Sequence, residues 1–212
     1  VNLDCTTPLY EELYARWLWH EDGLLDRAQM KAGDKVLDLC GGTGVISRQA
    51  LDLGALEVVL LDLAPRAFHL KHLYPLFCQR RGRAEEVATL FPKHYFDIIV
   101  CRQAIGYLDP EQVAQGVFQV LRPGGRFVFN TFKRPRWLAK TYRMGGTRFF
   151  EAAGYLGDHV VHLQAGWGLG IDVTKFRWHR DLKTTMGRYF SVHEETRGNS
   201  LYYTCHALPA EG

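Results

Sequence analysis

Two aspartates bracket the part of this sequence whose residue types and spacing could do chemistry. Asp38 sits near the end of an apolar run, Lys35-Val36-Leu37-Asp38-Leu39, followed at once by Cys40-Gly41-Gly42-Thr43-Gly44. Asp62 closes a second apolar run, Glu57-Val58-Val59-Leu60-Leu61-Asp62, eighteen residues past Gly44. Glycines between a strand and a helix let backbone approach a ligand closely, and the helix start offers unpaired N–H groups. A carboxylate ending the next strand can accept two hydrogen bonds from a ribose diol.

Two nucleotide-like ligands fit these residues. Gly42-x-Gly44-x-x-Ser47 follows a dinucleotide fingerprint, with Ser in place of the last glycine. An acid at position 38 instead suits a cationic ligand, such as the amino group and sulfonium of S-adenosylmethionine. The plainer alternative makes Asp38 and Asp62 strand-end caps and Cys40 a small residue in a tight turn, not a nucleophile. His69 with His72, and His159 with His162, lie three residues apart. No third partner closes a metal site around either pair, so no metal is expected.

These residues need a scaffold, and the pattern around them predicts one. Helical spacing predicts a helix over 8–30, with Leu9, Leu13, Trp17, Leu24 and Leu25 on one side. The strand at 35–39 leads to a helix over 45–53. The strand at 57–62 leads to a helix over 65–80. A weak strand near 84–87, a strong one at 96–101, a helix over 110–121 and a strand at 126–132 continue the alternation. The end of the chain, 188–193 and 201–207 around Gly198-Asn199-Ser200, reads as a hairpin. Such alternation predicts an α/β doubly wound, mostly parallel sheet. After Thr131 the composition changes, and two further strands, 160–164 and 171–178, predict a small β-containing insertion after the fifth strand.

Composition bounds the rest. At 212 residues with 47% hydrophobic and 23% charged positions, the chain fills one core and not two, so a single domain over 1–212 is expected. The net charge of +3 demands neither nucleic acid nor an anionic membrane as partner. The five cysteines form no CxxC and are odd in number, which fits a reducing, cytoplasmic setting. No apolar run approaches the ~20 residues of a membrane helix, and Val1-Asn2-Leu3-Asp4-Cys5 lacks the profile of a secretion signal.

Asp38 to Gly44 resembles the first motif of the class I S-adenosylmethionine-dependent methyltransferases, acid-x-Gly-x-Gly-x-Gly, with Cys40 at the first glycine. Phe96-Asp97-Ile98-Ile99-Val100-Cys101 resembles the fourth motif, and Leu121-Arg122-Pro123-Gly124-Gly125 the turn before the fifth strand. Gly82-Arg83-Ala84-Glu85-Glu86-Val87 sits where the family often has Gly-Asp-Ala, and Tyr10 to Trp17 resembles the N-terminal helix that closes over the cofactor. The resemblance covers roughly residues 8–132 and the terminal hairpin. It implies a Rossmann-like, seven-stranded sheet whose last strand is antiparallel.

For the site, the resemblance implies that S-adenosylmethionine is bound, with S-adenosylhomocysteine as product. Asp38, Cys40, Gly42 and Gly44 would contact it from the first turn, and Asp62 and Leu63 from the second strand. Ala84 and Glu85, then Cys101 and Arg102, would line its far side, with Tyr10 from the N-terminal cap at 8–30. Tyr107 and Tyr14 are the candidate catalytic residues. Substrate choice is expected in the insertion at 133–178, where Arg134, Trp137 and Tyr142 are the candidate contacts. The expected reaction is methyl transfer to an N, O or C acceptor of a small molecule. Lys133, Arg134, Arg136, Lys140, Arg143 and Arg148, interleaved with aromatics, keep two partners open: a small anionic acceptor or RNA. The fourth motif continues Arg102-Gln103-Ala104, not Asn/Asp-Pro-Pro-Tyr, which argues against methylation of exocyclic base nitrogens. A non-enzymatic S-adenosylmethionine-binding module and a nicotinamide oxidoreductase remain the other classes. Monomer and homodimer are both compatible with the sequence.

Overall fold

The computed structural model describes residues 23–63, 65, 67–132, 181–198 and 200–208. Seven strands form one sheet: β1 (Lys35–Leu39), β2 (Glu57–Asp62), β3 (Phe77–Arg81), β4 (Phe96–Arg102), β5 (Leu121–Phe132), β6 (Phe190–Arg197) and β7 (Ser200–Ala207), in the order β3-β2-β1-β4-β5-β7-β6. The first five are parallel, and β7 runs antiparallel to both of its neighbours. Helices α1 (Leu24–Arg27), α2 (Val45–Asp52), α3 (Phe68–Leu73), α4 (Val87–Leu90), α5 (Pro110–Val120) and α6 (Leu182–Met186) complete the described elements. This is the expected doubly wound sheet with its antiparallel terminal hairpin.

The central strands read as near-continuous apolar runs because both faces are covered. Alternate side chains feed two cores. Leu37, Leu39, Val59, Leu61, Ile99, Phe127 and Phe129 face one side with Val113 and Val117 of α5. Val36, Val58, Leu60, Ile98, Val100 and Val128 face the other with Leu24, Leu25, Ile46 and Ala50. Helix α5 starts sharply because the Asp109 side chain accepts the Glu111 and Gln112 amides and Pro110 supplies the first helical residue.

Four boundaries differ from expectation. Gly23, at φ 58, separates α1 from whatever precedes it, so the helix expected over 8–30 does not run unbroken through that position. Helix α3 ends at Leu73 because Tyr74 precedes Pro75 and adopts φ −130, ψ 102, the extended form that proline imposes on its predecessor. The third strand is therefore Phe77–Arg81, not 84–87; its edge position leaves Cys78, Arg80 and Arg81 exposed and without an apolar signature. Residues Ala84–Glu86 form a 3-10 turn instead. Finally, β5 begins at Leu121: Leu121 pairs with Phe96 and Arg126 with Ile98, so residues 122–125 leave the ladder as an excursion. Gly124 has φ 77, and a Cβ on Gly125 would lie 2.8 Å from the Asp97 carbonyl oxygen. The strands expected at 160–164 and 171–178, and the insertion at 133–178, lie outside the described residues.

Candidate active site

The described residues singled out in the sequence gather at the carboxyl ends of four adjacent strands. The order reverses between β1 and β4, one leading outward to β2 and the other to β5. Open parallel sheets place their ligand crevice at such a switch point. Asp38 and the Cys40–Gly44 turn lie at the end of β1, Asp62 and Leu63 at the end of β2, and Cys101 and Arg102 at the end of β4. Ala84 and Glu85 lie in the turn after β3, and Tyr107 in the 3-10 turn Ile105–Tyr107 after β4. Tyr10, Tyr14, Arg134, Trp137 and Tyr142 lie outside the described residues.

Asp38 is 1% exposed. Its Oδ2 accepts the Ser47 amide at 2.9 Å and the Ser47 hydroxyl at 2.7 Å, so one oxygen caps the first turn of α2. The other oxygen, Oδ1, is buried without a hydrogen-bond partner among the described residues. Burial pushes the carboxyl from its ordinary 3.8 up to about 6; the two Ser47 bonds oppose this, nearby Asp62 adds to it, and Arg102 lowers it. A buried carboxylate with an unused oxygen favours a cation. Ser47 escaped the sequence reading as a contact, although it was visible as the substitute for the third glycine.

Asp62 is held by the turn it faces: its Oδ2 accepts the Gly42 amide at 3.0 Å. Gly42 has φ 53, and a Cβ there would meet none of the described residues within 4 Å, so among them the space over the turn is open beside the Asp62 carboxylate. Gly44 differs. Its N–H is used inside the turn, bonded to the Gly41 carbonyl at 2.8 Å. A Cβ on it would lie 2.7 Å from Ala67 Cβ and 2.9 Å from Leu70 Cδ1. Gly42 leaves room above the turn; Gly44 lets α3 approach from below.

Cys40 adopts φ 61, the left-handed form that the glycine of related motifs takes without strain. Hydrogen bonding with the Cys101 thiol, and then burial, push the Cys40 thiol well above its ordinary value, so it stays protonated at neutral pH. A protonated thiol is a poor nucleophile. Cys40→Gly is therefore expected to leave S-adenosylhomocysteine affinity within twofold. Relief of about 1–2 kcal/mol of backbone strain offsets the lost packing, so Tm should move by only a few degrees. Calorimetry and thermal melting check both; a large loss of affinity in a folded protein would give the thiol a role denied here.

On the far side, Arg83 is an exposed residue whose Nε pairs with Glu85 at 3.7 Å. The Glu85 side chain is only 12% exposed and its Oε1 accepts the Asp109 amide at 3.4 Å. The acid in this turn is thus mostly buried while Arg83 faces water. Across the sheet, Gln103 adopts φ 52, and its amide donates to Asn130 Oδ1 of β5 at 2.9 Å. Neither amide residue was assigned a role from sequence; the available signal was a polar Asn130 inside the apolar run Phe127-Val128-Phe129-Asn130. Among the described residues, no group of three or more His, Cys, Asp or Glu side chains could hold a metal ion. Nor is any described helix long and apolar enough to cross a membrane.

Comparison with known proteins agrees with this geometry. Residues 37–129 match the family described as methyltransferase domain. The ubiquinone/menaquinone biosynthesis C-methyltransferase of Edwardsiella ictaluri is 29% identical over 175 residues, covering 77% of this chain and 67% of that protein. The ubiquinone biosynthesis O-methyltransferase of Nitrosospira multiformis is 30% identical over 118 residues, covering 53% of this chain and 48% of that protein. The chain thus spans only about half the length of the latter. Among solved structures, the S-adenosylmethionine-dependent methyltransferase of Mesorhizobium loti superposes with TM-score 0.62 at 20% identity, over 86% of this chain and 95% of that one. One from Aquifex aeolicus gives TM-score 0.62 at 13% identity, over 93% and 96%. At such identities the two structures speak for the fold. Residues 37–129 thus match a methyltransferase domain, and the fold is the one seen in S-adenosylmethionine-dependent methyltransferases. The unused Asp38 oxygen, the Asp62 carboxylate and the open space over Gly42 fit that family's cofactor.

Proposed function

We propose that this chain transfers a methyl group from S-adenosylmethionine to a carbon, oxygen or nitrogen of a small molecule. The observation that carries the reading is the pair of buried acids at the ends of β1 and β2, Asp38 and Asp62, on either side of the Gly42 turn. Asp62 would hold the ribose diol, and Asp38 the cationic end of the cofactor, with Glu85 flanking the adenosine side. The single domain over 1–212, its cap at 8–30 and the substrate-side segment at 133–178 belong to this proposal. So do the contacts of Leu63, Ala84, Cys101, Arg102, Tyr10, Arg134, Trp137 and Tyr142.

S-adenosylmethionine, when bound, supplies a methyl group on a sulfonium, which is already an activated leaving group. The work left to the protein is positioning and exclusion of water, and positioning of two reactants is worth up to ~7–11 kcal/mol. The Gly42 amide fixes Asp62, the Ser47 amide and hydroxyl fix Asp38, and the carboxyl ends of β4 and β5 remain for the acceptor. An oxygen acceptor needs a base as well. Tyr107, in the turn directly after β4, and Tyr14 are proposed for acceptor-side chemistry. The relatives named for C- and O-methyl transfer support carbon and oxygen acceptors ahead of nitrogen.

Asp62→Ala tests the reading. Hydrogen bonds to a charged group contribute ~1.5–3 kcal/mol each, so S-adenosylhomocysteine affinity should fall at least tenfold. Circular dichroism should show the fold intact. Release of S-adenosylhomocysteine across a panel of small acceptors should then identify the substrate class. Unchanged calorimetric affinity in the Asp62→Ala protein would sink the assignment.

A further inference from the structure

The corner between β4 and β5 holds two amide side chains that nothing among the described residues fully satisfies. Asn130 is 0% exposed and Gln103 8% exposed. Asn130 Nδ2 and Gln103 Oε1 are both buried without a hydrogen-bond partner among the described residues. Buried polar atoms in native proteins nearly always find one, so two together near the carboxyl ends of β4 and β5 point to a group that arrives from outside. The Asn130 amide cannot be turned round at no cost, because its Oδ1 already accepts the backbone N–H of Gln103. Nδ2 is thus a donor by geometry. Gln103, in turn, is kept in a left-handed conformation that a non-glycine residue adopts only under constraint. The Asn130 side chain supplies part of that constraint.

Position gives the pair its meaning. Gln103 directly follows Arg102, the last residue of β4, and Arg102 pairs with Asn130 across the ladder. The corner lies one strand beyond β1, on the opposite side of the switch point from Asp62. In the reading above, that side is left for the acceptor.

We propose that Asn130 and Gln103 together bind a hydroxyl group of the methyl acceptor, Asn130 Nδ2 donating to its oxygen and Gln103 Oε1 accepting its proton. One donor and one acceptor suit a hydroxyl. An ammonium would leave the Asn130 donor unmatched, and a carboxylate would face the Gln103 carbonyl oxygen. A site built to hydrogen-bond a hydroxyl rejects the analogue lacking it, because its own buried groups are then left unpaired. The pair therefore makes the acceptor side selective for hydroxylated molecules. This inference rests on the proposed function and goes beyond it by naming the chemistry of the acceptor.

The test uses the full chain saturated with S-adenosylhomocysteine and two ring probes of similar shape. Catechol carries two hydroxyls; 1,2-dimethoxybenzene has the same ring and oxygens without an O–H. Ligand-observed NMR titration should show catechol binding at least tenfold tighter. Asn130→Asp keeps an oxygen to accept the Gln103 amide but removes the Nδ2 donor. Gln103→Met keeps the backbone bond and the side-chain size but removes Oε1. Each should abolish the preference for catechol while S-adenosylhomocysteine affinity stays close to the parent value. Asn130→Asp should melt several degrees lower because it buries a carboxylate, and Gln103→Met should keep a Tm close to the parent's. Loss of the preference in the Gln103→Met protein is thus a result that a purely structural role would not produce. Equal binding of the two probes, no catechol binding to the loaded protein, or a preference retained in both folded variants would overturn the proposal. Failure of the parent chain to bind S-adenosylhomocysteine would instead overturn the proposed function, and calorimetry performed first separates the two failures.

Discussion

Asp38→Asn is expected to make the ligand-free protein more stable and the cofactor complex weaker. Folding raises the Asp38 carboxyl from 3.8 to about 6, so between those values the folded chain holds a proton that the unfolded chain has lost. Stability must therefore fall as pH rises through that window, and it stays low above it. The gap between 3.8 and about 6 corresponds to about 3 kcal/mol. Asparagine carries no charge, and its side-chain oxygen in the place of Oδ2 can still accept both the Ser47 amide and the Ser47 hydroxyl. At pH 7.5 the Asp38→Asn protein should gain about 1–3 kcal/mol, several degrees in Tm, and should lose the slope between pH 4 and 6. S-adenosylmethionine affinity should fall at least tenfold, since a charge-assisted contact is worth ~1.5–3 kcal/mol. In the parent protein, binding should tighten as pH rises through about 6, where Asp38 becomes the anion that the cofactor's cationic end requires. Thermal melts and calorimetry across pH 4–8 check all of this. A lower Tm for the Asp38→Asn protein would refute the cost assigned to burying the carboxylate.

Gly44→Val should fail in a different way, by losing the fold. Position 44 has φ 80, which a β-branched residue adopts only with strain of roughly 1–3 kcal/mol. Its Cβ would lie 2.7 Å from Ala67 Cβ and 2.9 Å from Leu70 Cδ1, so α3 would have to move. Overpacking adds another 1–3 kcal/mol or so. Together these approach the ~5–15 kcal/mol that holds a domain folded, so a Tm at least 10 °C lower, or insoluble protein, is expected. Gly42→Ala is the control: φ 53 gives it comparable backbone strain, but none of the described residues lies within 4 Å. It should fold, melt a few degrees lower and bind S-adenosylhomocysteine at least tenfold more weakly, because its methyl enters the open space over the turn. If Gly44→Val folds normally and fails only in binding, the packing role assigned to this glycine is wrong.

Much of this was legible in the chain itself. Runs such as Val36-Leu37 and Ile98-Ile99-Val100, each followed by a turn and a helix, define parallel strands because only a sheet covered on both faces buries such runs. Asp38 and Asp62 could be singled out because an acid interrupting or ending an apolar strand is rare and needs a reason. Edge strand β3 was not legible, since Cys78-Gln79-Arg80-Arg81 has one wet face and no apolar alternation. Helix α3 was too long by sequence because helical spacing runs on through Pro75, although the proline had already disallowed it.

What the tertiary structure alone decided is the division of labour within the motif. Gly42 and Gly44 are equivalent as letters; only the position of Ala67 and Leu70 makes one a packing glycine and the other a glycine bordering open space. Asp38 reads as either a cap or a ligand contact, and the structure assigns the cap to Oδ2 and leaves Oδ1 unused. Gln103 and Asn130 are twenty-seven residues apart, and nothing in their local sequence pairs them. The physical reason is common to all three. Periodicity along a chain reports which face of an element is buried, but the neighbour on that face comes from a distant segment, and only the assembled sheet brings the two together.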